Sequence, residues 1–179
     1  RELLARLSIP FAVLSPDIDE TPRAGETPRE LALRLAGEKA RAVARSHSAG
    51  LIIGCDQVAH IGTRVFGKPG THQNAARQLA EMSGQTVVFE SALCLLDAST
   101  GRMQIDSIPT EITFRTLSAP EIENYLHRDQ PYGCAGSAKL ESLGIALIER
   151  MRSDDPTAII GLPLVRLCRM LAAENVAVL

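Results

Sequence analysis

The chain has 179 residues, 45% hydrophobic and 22% charged, which is enough to bury a sizeable core in one domain spanning 1–179. Its net charge is −2, and its 19 Lys and Arg are scattered among 21 Asp and Glu, so no basic stripe offers itself to a nucleic-acid backbone. The four cysteines form no Cys-x-x-Cys pair, the four histidines have no ligand spacing, and no apolar run approaches the roughly 20 residues of a bilayer span, which argues against a structural zinc site and a membrane helix.

The sequence opens Arg1-Glu2-Leu3-Leu4 without Met, already inside an amphipathic pattern, so further residues are expected to precede it. Phe11 to Leu14 reads as a short strand that leaves at Ser15-Pro16 into a polar loop. Thr27-Pro28-Arg29-Glu30 combines a capping hydroxyl, a proline at the first helical position and a Glu three residues after the cap, which predicts a helix from about Pro28 to about Ser46. Leu51-Ile52-Ile53 predicts a buried strand with Gly54-Cys55-Asp56-Gln57 at its C-terminal end, where α/β sheets hold ligands. Gly62-Thr63 suggests a hairpin within Val58 to Gly67, and Thr71 to Met82 a helix closed by Ser83-Gly84. Gln85 to Asp97 and Met103 to Thr116 predict a long antiparallel ribbon around the turn Ala98 to Arg102.

Ser118-Ala119-Pro120-Glu121 repeats the capping pattern and opens a short helix to about Arg128. Pro131 to Gly144 is rich in glycine and small residues, Ile145 to Arg150 predicts a strand, and Pro163 to Ala173 a closing helix. The order of elements implies an α/β fold with a mixed sheet and flanking helices. A reduced cytoplasm is the expected compartment, with Cys55, Cys94, Cys134 and Cys168 as small core hydrophobes.

Leu31, Leu35, Lys39 and Val43 recur every four residues, so Lys39 puts a cation on a stripe that otherwise faces the core. A lone lysine there ordinarily snorkels to solvent. Glu20, in Asp17-Ile18-Asp19-Glu20, and Asp56 are candidate anions for it, although each alone reads equally as a loop or turn carboxylate. Lys68, in Gly67-Lys68-Pro69, is a further cation in a stiff turn. Carboxylates for a hard divalent ion and lysines for phosphate oxygens suit triphosphate hydrolysis, which runs largely on electrostatics.

Seven segments in order resemble the motifs of the Maf family: Arg1-Glu2-Leu3-Leu4, Asp17-Ile18-Asp19-Glu20, Glu38-Lys39-Ala40, Gly54-Cys55-Asp56-Gln57, Gly67-Lys68-Pro69, Gly133-Cys134-Ala135-Gly136-Ser137 and Gly161-Leu162-Pro163-Leu164. The resemblance covers essentially the whole chain. It implies two lobes around a nucleotide cleft, a fold related to the inosine triphosphate pyrophosphatases, and hydrolysis of a nucleoside triphosphate to the monophosphate and pyrophosphate with Mg²⁺ or Mn²⁺. By resemblance, Asp56 is the catalytic acidic residue that activates the attacking water, directly or through a bound metal, and a metal ligand with Glu20, while Arg1, Lys39 and Lys68 bind phosphate. The family's Ser-x-Ser-Pro-x-Arg phosphate loop and its strand would stand just before this sequence, with Arg1 as the last arginine of the loop.

Gln57 and Glu141 resemble the family branch acting on 7-methyl-GTP, which keeps modified nucleotides out of nucleic acids. Thr and Gln at those places would suit the dTTP/UTP branch. N7-methylation makes guanine cationic and its N1–H and N2–H₂ edge presents donors, so a carboxylate at Glu141 can accept hydrogen bonds and balance charge. Asp154-Asp155-Pro156 reads as a turn with a family counterpart near the cleft. Hydrolysis of dTTP/UTP and weakly catalytic nucleotide binding in septum regulation are the alternatives, and a homodimer is compatible with the resemblance.

Overall fold

The computed structural model describes residues 2–179, so Arg1 and the phosphate-binding role expected of it lie outside the described residues. In chain order, helices α1 (Glu2–Ala5) and α2 (Pro28–Ala44) precede strands β1 (Leu51–Ile61) and β2 (Arg64–Phe66). Helix α3 (His72–Met82) leads into β3 (Thr86–Asp97) and β4 (Met103–Phe114), followed by α4 (Ala119–Asp129), β5 (Ile148–Ser153) and α5 (Leu164–Ala173). The strands form one sheet in the order β2-β1-β3-β4-β5. All four pairings among the described residues are antiparallel, so the sheet is not the mixed one expected, while the α/β class with flanking helices, here on both faces, stands.

Local chemistry starts the helices where the sequence predicts. At α2, Glu30 N donates to Thr27 Oγ1 at 3.2 Å and Thr27 N donates to Glu30 Oε2 at 2.8 Å, satisfying two amides that the first turn leaves without helical partners. Ser118 and Glu121 repeat the arrangement at α4. The ribbon β3–β4 pairs from Thr86↔Thr113 to Leu96↔Met103, around the predicted turn.

Alternation along β3 sorts the core. Ala92, Cys94 and Leu96 face α2, where they meet Leu31, Ala32, Leu35, Ala36 and Ala40. On the other face the core divides in two: Val87 and Phe89 join α3 and α4 in one cluster, and Leu93 and Leu95 join α1 and α5 in another. Ser91 lies between them, fully buried, its hydroxyl donating to Ala158 O at 2.7 Å. Burying one leucine such as Leu35 contributes about 1.5–3 kcal/mol.

Three segments depart from the sequence reading. Phe11 to Leu14 forms no strand; Phe11, Val13 and Leu14 are exposed and have no strand beside them among the described residues, and an extended run without a partner gains no ladder. The last strand begins at Ile148 rather than Ile145, because Leu143–Leu147 wind into a 3₁₀ turn that presses Gly144 against the Lys139 backbone and buries Leu147. The strand after Leu51 does not stop at Ile53: β1 pairs with β3 from Leu51↔Asp97 to His60↔Val88, so Asp56 stands mid-strand opposite Ala92.

Gly54 explains that last difference. Within a strand, a glycine marks a close approach of another backbone rather than an end. A Cβ at Gly54 would collide with the Ala36 carbonyl oxygen and come within 2.9 Å of the Ala40 nitrogen, so α2 lies against β1 at a distance only glycine permits. Gly54→Ala is expected to cost about 3 kcal/mol or more in chemical denaturation, since helix backbone rather than a flexible side chain must yield. Gly67→Ala, with nothing near its added Cβ and no positive φ, should change stability by less than about 1 kcal/mol in the same measurement.

Candidate active site

The close seam at Gly54 sets the distance between α2 and β1, and with it the central contact of the site. Lys39, one residue before the seam alanine Ala40, donates from Nζ to Asp56 Oδ1 at 2.5 Å and lies 2.7 Å from Glu20 Oε1. Lys68 Nζ stands 3.8 Å from Glu20 Oε2. Asp56, Lys39, Glu20 and Lys68 therefore form a row of alternating charge, so four of the residues singled out in the sequence come together in space. The row runs outward: the Asp56 side chain is 11% exposed and that of Lys68 64%.

Glu20 lies on a loop, and its position depends on how that loop is tied down. Arg34 on α2 donates to Glu26 through Nε at 2.6 Å, to Glu38 through Nη1 at 3.0 Å and to the Thr21 carbonyl through Nη2 at 3.1 Å. Arg23 adds a second tie to Glu38 at 2.9 Å. The Arg34 guanidinium holds the Glu26 carboxyl down at about 2, well below the usual carboxylate range. A loop otherwise free to sample many conformations is thus fixed to the helix that also carries Lys39.

The electrostatics of the row follow from depth. Burial pushes the Asp56 carboxyl above its ordinary range, outweighing the pull of Lys39. For Glu20, nearer solvent, the Lys39 hydrogen bond dominates and lowers it. Burial works against the Lys39 ammonium, yet Asp56 and Glu20 together hold it above its ordinary value. The two carboxylates supply hard oxygen donors of the kind Mg²⁺ or Mn²⁺ takes, with water and phosphate oxygens left to complete such a shell, so this donor set fits the expected ion.

A cleft of about 260 Å³ opens beside the row, lined by Asp56, Gln57 and Lys68 together with Cys134, Glu141 and Gly161. Gln57 is fixed there: its Nε2 donates to the Ala158 and Ile159 carbonyls, both at 3.1 Å, and to Ser91 Oγ at 2.9 Å. Two carbonyl acceptors require the nitrogen on that side, which leaves Oε1 for the cleft. Glu141 is exposed on the rim. A larger apolar concavity of about 1380 Å³ adjoins along Leu51–Ile53 and shares Cys55 and Glu141 with the cleft, but the charged row lies outside it.

Other sequence readings resolve differently. Asp155 is 2% exposed and spends its carboxylate on the backbone, accepting from Val165 N at 2.7 Å, Arg166 N at 3.3 Å and Thr157 N at 3.0 Å, so it caps α5. Cys94 is a core residue as expected, whereas Cys134 lines the cleft because the glycine-rich loop carrying it forms the rim. Burial pushes the Cys55 thiol up to about 12. Ser91 was not singled out in the sequence, although a hydroxyl inside the apolar run Val87 to Leu96 is the kind of signal that marks a polar contact.

Comparison with known proteins agrees with the motif pattern. The protein from Methylobacillus flagellatus is 58% identical over 179 residues, all of this chain and 93% of its own length. Those from Cupriavidus metallidurans (58% over 171 residues, 96% and 86% of the two chains) and Thiobacillus denitrificans (55% over 179 residues, 100% and 89%) are similarly close. All three bear the name 7-methyl-GTP pyrophosphatase. The family model described as Maf-like protein matches residues 1–174, nearly the whole sequence that carries the row and the cleft, and the chain belongs to the Maf-like family.

Proposed function

We propose that this chain, as one domain over 1–179, hydrolyses 7-methyl-GTP to 7-methyl-GMP and pyrophosphate in the cytoplasm. The observation that carries the reading is the row Asp56–Lys39–Glu20–Lys68 opening into a cleft that also holds Gln57 and Glu141. The names of the relatives support the substrate.

Asp56 is the general base. Its carboxyl, held above the ordinary range by burial, accepts a proton from water more readily than an exposed aspartate would. As the water oxygen bonds to phosphorus, its proton passes to Asp56 and the bond to the α–β bridging oxygen breaks, releasing pyrophosphate. Lys68, the most exposed cation of the row, faces the phosphates, and Lys39 holds the two carboxylates in register while its charge lies toward the same oxygens. Glu20 and Asp56 would hold a divalent cation, which when bound supplies further positive charge to phosphate oxygens. Glu141 accepts from the donor edge of the methylated guanine and balances its charge.

Asp56→Asn should keep the fold by circular dichroism and lower kcat by about 10²–10⁴, because the amide can neither take the proton nor hold a hard cation well. Turnover within tenfold of wild type would remove Asp56 from the role.

The acid limb of the kcat/KM profile gives a second test. Catalysis needs ionised Asp56, so activity rises as pH passes upward through its raised pKa. Lys39→Met keeps the burial that raises this pKa and removes the cation that opposes it, so the acid limb should move to higher pH. An unmoved limb would mean that another group sets it.

Specificity is tested at Glu141. Glu141→Gln loses a charge-assisted pair worth about 1.5–3 kcal/mol, so kcat/KM for 7-methyl-GTP should fall by roughly tenfold to a hundredfold, and for GTP by less, since its ring is neutral. Equal losses on both substrates would remove the charge-balancing role of Glu141, and no loss on either would place it outside base recognition.

A further inference from the structure

Away from the charged row, helices α3 and α4 bring two imidazoles and a carboxylate together. His72 is the first residue of α3, and Glu123 and His127 stand one turn apart on one face of α4. His72 Nε2 lies 2.8 Å and His127 Nε2 3.8 Å from Glu123 Oε2, and one ligand atom from each of the three falls within 4.8 Å of the others. Ligands bound to one ion through bonds of about 2.1 Å stand roughly 3.0–3.4 Å apart, so small side-chain rotations close this triangle onto a metal. The spacing is invisible in the sequence because His72 is 51 residues from Glu123.

The supporting contact beneath His72 points the same way. Tyr132 OH donates to the Leu126 carbonyl at 3.4 Å, and its oxygen lies 2.9 Å from His72 Nδ1. The phenol thus holds Nδ1 and fixes the ring with Nε2 toward Glu123. Nε2 stands 2.8 Å from a carboxylate oxygen, so a nitrogen and an oxygen ligand atom are presented together. A second partner that orients a ligating imidazole through its other nitrogen is the usual support of such a site.

We propose that His72, Glu123 and His127 form a binding site for a borderline transition-metal dication of the Zn²⁺ class, distinct from the hard-cation donors Glu20 and Asp56. Two imidazoles and one carboxylate favour such an ion over Mg²⁺, and the exposure of the group leaves positions for water. The bound ion clamps α3 to α4. It also acts on the cleft rim from both sides: His72 follows Lys68 by four residues, Gly70 N donates to Tyr132 O at 3.0 Å, and Tyr132 adjoins Gly133-Cys134 of the cleft lining.

The test titrates Zn²⁺ into the full chain by calorimetry with Mg²⁺ in excess to occupy oxygen-rich sites, and records the visible spectrum with Co²⁺ as substitute. The wild type should take up one equivalent and give a Co²⁺ band of nitrogen-containing coordination. His127→Ala, at a side chain 74% exposed and therefore safe for the fold, and Glu123→Gln should each raise Kd at least tenfold and lose the band. Tyr132→Phe should raise Kd by about tenfold or more through loss of the His72 orientation. Absence of uptake by the wild type would reduce the cluster to a hydrogen-bonded His72–Glu123 contact and overturn the proposal, as would uptake unchanged in both His127→Ala and Glu123→Gln.

Discussion

The site depends on an ammonium group held in a poorly hydrated place between two carboxylates. Removing Lys39 and Asp56 from water costs several kcal/mol per ion, and one contact at 2.5 Å does not by itself repay this. What keeps the pair together is packing. Gly54, Ala36 and Ala40 make a seam of small residues that lets the α2 backbone rest on β1, and Leu31 and Leu35 anchor the same helix in the core. The seam fixes the backbone of Lys39, the neighbour of Ala40, over Asp56, so the apolar contact positions the polar one. Arg34 extends the constraint to Glu20 by tying its loop to the same helix.

Strand geometry separates the two tasks assigned to neighbouring residues. Asp56 and Gln57 are consecutive on β1 and so project to opposite faces of the sheet, Asp56 toward α2 and Gln57 toward Ser91 and Ala158. Both nevertheless line one cleft. That is possible only at an edge, and β2 covers β1 no further than Ala59–Ile61, so the outer edge at Cys55–Gln57 has no strand beside it among the described residues. The cleft wraps this edge, with proton transfer proposed on one face and base recognition on the other.

Much of this was legible in the sequence because the signals were local. The capping boxes at Thr27 and Ser118, the hairpin at Gly62-Thr63 and the four-residue recurrence that put Lys39 on a buried stripe each rest on neighbours within a turn. The errors arose where tertiary contact decided. Gly54 was read as the end of a strand, yet its meaning is the Ala36 carbonyl above it, 18 residues away. Phe11 to Leu14 had strand composition without a partner, and the start of β5 was displaced by the packing of Gly144 on Lys139. Roles for Lys39, Lys68 and Glu141 came from resemblance; spacing alone could not bring Glu20, Lys39, Asp56 and Lys68 into one row, because they sit on four separate segments.

The fixed amide of Gln57 gives the proposed substrate preference a physical form. Its nitrogen is committed to Ala158, Ile159 and Ser91, so in the proposed pocket Gln57 presents only an acceptor, as does the Glu141 carboxylate. A pocket of two acceptors suits the N1–H and N2–H₂ edge of guanine, which presents donors side by side. Uracil and thymine place one N3–H donor between two carbonyl oxygens, so at least one of their acceptors would face another acceptor and lose its hydration without compensation. Threonine at position 57 would be too short to occupy both carbonyls as glutamine does, and its hydroxyl can turn to donate as well as accept. The difference between acceptor-only and mixed recognition is therefore set by what lies behind residue 57, in the Ser91–Ala158 contact, as much as by the residue itself.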